Sequence, residues 1–66
     1  MSNYIDRMKV EHKDLSLKID ALNGFIFGNE LFKSLSDIEQ SKMIKQVGFM
    51  ESYREVLESR IWTAVK

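Results

Sequence analysis

Between Ile5 and Ile26, seven positions recur at alternating steps of three and four: Ile5, Met8, His12, Leu15, Ile19, Leu22 and Ile26. Six are apolar, and this spacing draws one continuous stripe down an α-helix. The chain contains no proline, so long helices can run uninterrupted. A second stripe, Tyr4, Arg7, Glu11, Asp14, Lys18, Ala21 and Phe25, lies roughly 80–100° around the helix from the first. One face is built to pack. Its neighbour carries an aromatic ring and two cations with carboxylates between them.

The rest of the chain reads as a return helix. Ser2 or Asn3 can cap the first helix through a short side-chain oxygen, and Asp6 suits the positive end of the helix dipole. The first helix covers about 3–27, with Gly28 as the residue past its end, able to take positive φ. Asn29 caps a short turn over 29–34, placing Leu31, Phe32 and Leu35 as a plug over the bend. Ser36 and Glu39 have capping-box spacing, and a second long helix covers about 37–64. Its stripe is Met43, Val47, Met50, Leu57, Ile61 and Ala64, interrupted by Arg54. Ile44, Phe49, Tyr53, Val56, Trp62 and Val65 widen the apolar surface beyond one seam, and Gly48 offers a close approach to another helix. The expected fold is all-α: an antiparallel two-helix hairpin with a short helical turn, forming one domain over residues 1–66.

Two helices alone can bury only one stripe from each. Phe25, Phe27, Phe49, Tyr53, Trp62 and Val65 would be left largely wet. Domains this small usually need a disulfide, a metal or a partner. Cysteine is absent and histidine occurs once, which removes the first two within one chain. The chain is therefore expected to be an obligate homo-oligomer of closed symmetry.

Charge narrows the partners. Ten Lys and Arg balance ten Asp and Glu, so bulk attraction to DNA or anionic membrane is disfavoured. No apolar run approaches membrane-spanning length and no signal-peptide pattern opens the chain, which makes the cytoplasm the default location. No nucleophile–base order, phosphate-binding glycine loop or metal-spaced cluster is present, so no catalytic residue, metal or cofactor is expected. His12 reads first as a partly buried packing residue, the four Met as core fillers and Trp62 as an interface anchor. A charged stripe such as Arg7, Glu11 and Lys18 is ordinarily a wet helix surface held by ion pairs.

The combined pattern carries more than its parts. Tyr4-x-x-Arg7, Glu11, Leu15, Lys18-Ile19, Leu22, Phe25-Ile26 and Phe32, then Gln46-Val47, Met50, Tyr53, Leu57 and Arg60-Ile61, resembles the phage anti-CBASS cyclic-oligonucleotide sponges. The resemblance covers nearly the whole chain. It implies a helical hairpin assembled as a homohexamer that binds cyclic dinucleotides, and in many members cyclic trinucleotides, without cleaving them, in the cytoplasm of the infected bacterial host. By that resemblance Tyr4 matches a base-stacking tyrosine, Lys18 a phosphate-contacting lysine and Arg60 an arginine of the trinucleotide pocket.

Spacing adds a constraint. Tyr4 and Lys18 stand 14 residues apart, or about 21 Å along one helix. One compact ligand would meet both only if two first helices packed antiparallel about a two-fold axis. Arg7 would then assist Lys18, with Glu11 and Asp14 pairing to hold the two cations in place. Two other classes compete: a structural or adaptor helical homo-oligomer with a protein partner, and a small DNA-binding regulator, which zero net charge disfavours.

Overall fold

In a computed structural model of the chain the described residues are 3–65, and Ser2, the alternative cap, lies outside them. They form α1 (Tyr4–Gly28), α2 (Glu30–Ser34) and α3 (Asp37–Val65). Asn3 opens α1 with extended backbone, and its side-chain oxygen accepts from the Asp6 N–H at 3.0 Å. That bond satisfies one of the amides a helix start leaves without a partner.

Gly28 does not take the left-handed conformation; no described glycine has positive φ, and Gly28 closes α1 as its last helical residue. The turn is made by Asn29 instead, in extended conformation at φ −114° and ψ 125°. Its N–H donates to the Phe25 carbonyl at 3.3 Å, and its Oδ1 accepts from the Leu31 N–H at 2.9 Å. One residue thus ends α1 with its backbone N–H and starts α2 with its side chain, so a left-handed glycine is not needed there. At the next bend Ser36 Oγ accepts from the Glu39 N–H at 3.2 Å. The reciprocal half of the capping box is not formed among the described residues. Gln40 instead reaches back, its Nε2 donating to the Leu35 carbonyl at 2.9 Å.

α3 runs back along α1. His12 meets Glu58, and Tyr4 and Met8 lie beside Ser59, Arg60 and Thr63, so the start of α1 adjoins the end of α3. Every member of the α1 stripe is buried or half-buried, as are Met43, Val47, Met50, Arg54, Leu57, Ile61 and Ala64 of α3. Ile19 and Leu57 are the most deeply enclosed, each 1% exposed. Leu15, Ile19, Ile26, Phe32 and Val47 form one cluster near the bends, with Leu22, Phe25, Leu35, Met43 and Met50 against it.

Two apolar residues depart from the pattern read in the sequence. Phe25 is half-buried rather than wet, because α2 brings the Phe32 ring edge-on to it at 6.2 Å between centroids and 88° between planes. This T-shaped arrangement suits the ring quadrupoles. Leu31 does not join the plug; it is exposed while Phe32 is buried and Leu35 half-buried. A single helical turn points only part of its circumference at the core. The assembled body is slender, 46 × 17 × 14 Å.

Candidate functional site

The Tyr4 stripe of α1 lies one residue before the packing stripe at every step. On α3 the same offset selects Phe49, Tyr53, Val56, Arg60 and Thr63. When two helices pack antiparallel, stripes of equal offset fall on the same side of the seam. One broad face of the molecule therefore joins the ring and cations of α1 to those of α3.

Two grooves on this face hold the residues singled out from the sequence, and a third, of about 460 Å³, is lined by Lys42, Lys45, Gln46, Phe49, Met50 and Tyr53. The first, of about 440 Å³, is lined by Tyr4, Met8, Ser59, Arg60, Thr63 and Ala64. Tyr4 is 58% exposed, so its ring is available to a ligand. The Thr63 hydroxyl donates to the Ser59 carbonyl at 2.9 Å and keeps its lone pairs for an outside donor. Arg60 is exposed and has no ion-pair partner among the described residues. A ring, a guanidinium and two hydroxyls thus converge, with no carboxylate among the described lining residues.

The second groove, of about 370 Å³, is lined by Arg7, Val10, Glu11, Asp14, Leu15, Lys18 and Tyr53. Its two cations and two carboxylates balance in formal charge. They do not neutralise one another by contact, however. The ion pairs of the described residues are His12–Glu58 at 2.8 Å and Lys33–Glu30 at 3.8 Å. The expected pairing of Glu11 and Asp14 with Arg7 and Lys18 is absent. These side chains are exposed, and ordering two long flexible chains into one surface pair gains little in water. Their charged ends remain free for an external partner.

The four residues singled out from the sequence therefore divide. Tyr4 and Arg60 share the first groove, and Arg7 and Lys18 share the second. Tyr53, Ser59 and Thr63 were not among them. The signal that selects Tyr53 and Thr63 is their common offset from the α3 packing stripe, which mirrors that of Tyr4 on α1; Ser59 stands outside that offset and enters the groove only as the residue before Arg60. His12 is half-buried and bonded through Nε2 to Glu58 Oε1 on the opposite side of the seam, beside Lys9, Ile61 and Trp62. Among the described residues no group of three His, Cys, Asp or Glu side chains is placed to hold a metal ion. No helix formed by them is long and apolar enough to cross a membrane.

Comparison with known proteins places the chain as a whole. The Sequestin family model matches residues 2–63. A relative described as an uncharacterized 7.5 kDa protein in the denB–rIIB intergenic region of Enterobacteria phage T4 is 41% identical over 61 residues, spanning 92% of this chain and 94% of its own length. No solved structure matches significantly. A family match over nearly the whole chain, with a relative 41% identical across 92% of it, leaves one assignment: the chain belongs to the Sequestin family, a family of phage anti-CBASS sponges.

Proposed function

We propose that this protein sequesters the cyclic di- and trinucleotide second messengers of CBASS immunity without cleaving them, in the cytoplasm of an infected bacterial host. The observation that carries the reading is the exposed face on which Tyr4, Arg7, Lys18 and Arg60 stand without carboxylate contacts. A ring can stack a base, and free cations can meet phosphates with charge-assisted hydrogen bonds. Among the described residues no nucleophile on that face is hydrogen-bonded to a base, which suits holding a ligand rather than hydrolysing it.

The working unit we infer is a single helical-hairpin domain that assembles with copies of itself, by family resemblance as a hexamer. Exposed Phe27, Phe49 and Trp62, at 83%, 73% and 68%, support assembly, since a solitary soluble chain gains nothing from such a surface. Two copies of α1 packed antiparallel would bring Tyr4 of one beside Lys18 of the other, twice around a two-fold axis. A cyclic dinucleotide has matching approximate symmetry. Each base would stack on Tyr4 and each phosphate would meet Lys18, with Arg7 assisting. Arg60 would serve the trinucleotide.

The exposed Trp62 ring favours a second reading, a helical adaptor whose partner is another protein. Calorimetry with cyclic dinucleotides separates the two. The sponge reading expects binding by the wild type and its loss in Tyr4→Ala at unchanged assembled mass. Unchanged affinity in that variant would remove Tyr4 from the site. An absence of nucleotide binding by the wild type would favour the adaptor.

A further inference from the structure

We propose that Tyr53 is a second base-stacking platform, so that one nucleobase lies between Tyr53 of one copy and Tyr4 of another while Lys18 holds the adjoining phosphate. The inference rests on the sequestration reading above and adds to it a residue that the family resemblance does not assign.

Lys18 cannot share a compact ligand with Tyr4 of its own chain, from which it stands about 21 Å along α1. The ring that does share its groove is Tyr53, carried by α3. Tyr53 is 47% exposed and stands between this groove and a neighbouring one lined by Lys42, Lys45, Gln46, Phe49 and Met50. Beside it lie Lys18 and Arg7, both free of ion pairs. If copies meet through antiparallel α1 helices, Tyr4 of the second copy approaches the same Lys18 from outside. Two rings then flank one cation.

The remaining side chains of the groove fit such a guest. Glu11 and Asp14 would repel a bare phosphate. Ionised carboxylates are acceptors only, however, and a base amino group brings donors to them. A groove of zero formal charge therefore suits a nucleotide that presents both phosphate and amino edge better than it suits an inorganic anion.

The test is calorimetry on the full-length protein with cyclic di-GMP, cyclic di-AMP and cyclic GMP–AMP, with assembled mass measured in parallel. Tyr53→Leu keeps the apolar bulk and removes the ring; Tyr53→Phe keeps the ring. We expect Tyr53→Leu to weaken binding about tenfold or more, the effect of losing one stacked ring, and Tyr53→Phe to stay near wild type. Affinity of Tyr53→Leu within about twofold of wild type would overturn the proposal, taking stacking to be worth more than that. Should Tyr53→Leu alter the assembled mass, Tyr53→Trp decides instead. Its emission should be quenched by ligand beyond the quenching of Trp62 in the wild type, and no added quenching would overturn the proposal. Loss of binding in Tyr53→Leu together with unchanged binding in Tyr4→Ala would support Tyr53 and remove Tyr4. Failure of the wild type to bind any of the three ligands would remove this proposal together with the dinucleotide part of the sequestration reading.

Discussion

α3 carries two apolar stripes, displaced by one residue, and they meet opposite fates. Met43, Val47, Met50, Leu57, Ile61 and Ala64 face α1 and are buried or half-buried. Phe49, Tyr53 and Val56 stand one position earlier in each repeat and are 73%, 47% and 60% exposed. Phe49 has far more apolar surface than Val47, yet Val47 is 6% exposed. Side-chain hydrophobicity therefore does not decide which stripe is covered. A single partner helix covers roughly one stripe, and α1 is the only long partner that the described residues provide. The uncovered stripe is the feature that a solitary chain leaves unexplained.

The inner stripe gives the largest expected effect. Leu57→Ala should lower stability by about 2–5 kcal/mol, since a fully enclosed leucine leaves both lost burial and a cavity. Thermal melting followed by circular dichroism would check this. A cost below about 1 kcal/mol would mean that the two helices collapse freely around the gap.

The outer stripe is addressed next. Phe49→Glu should lower the assembled mass in light scattering while leaving the helical signal of each chain in place. An unchanged mass would show that this stripe is not a contact between copies.

A smaller effect sharpens the comparison through its sign. A Cβ built on Gly48 meets nothing within 4 Å in the isolated chain. Gly48→Ala should therefore stabilise an isolated chain by about 1 kcal/mol through helix propensity alone. If another copy packs its helix against Gly48, the added methyl should instead lower the melting temperature and the assembled mass.

Least of all should come from His12 and Glu58. Their 2.8 Å contact is partly open, with side chains 31% and 49% exposed. A double-mutant cycle of His12→Ala and Glu58→Gln should give a coupling below about 1 kcal/mol. A larger value would show that further copies bury the pair.

The packing stripes were legible in the sequence because helical period is a one-dimensional property. Steps of three and four between Ile5 and Ile26 need no knowledge of the rest of the fold, and the half-burial of His12 follows from its place in them. Phe25 was not legible. Its shelter comes from Phe32, whose position depends on how Asn29 turns the chain. Leu31 failed for the same reason, since the rotation of one helical turn is set by its caps. Of the candidate site, spacing made only the α1 face legible, and Arg60 on α3 came from the family resemblance. The grooves need the register of α1 against α3, which pairs Tyr4 with Arg60 and Lys18 with Tyr53. Spacing within either helix does not contain that register. Expecting Arg7–Glu11 and Lys18–Asp14 pairs extended a sequence rule to exposed side chains, where an ion pair gains little.

A body only 14 Å across its thinnest direction has no inside in which to hide a guest. Whatever it encloses must be enclosed by several such bodies at once. On the sequestration reading, dilution would then be as damaging as mutation. Below the concentration at which copies associate, trapping capacity would fall more steeply than the amount of protein, and early in an infection the dose of this small product would set when protection begins.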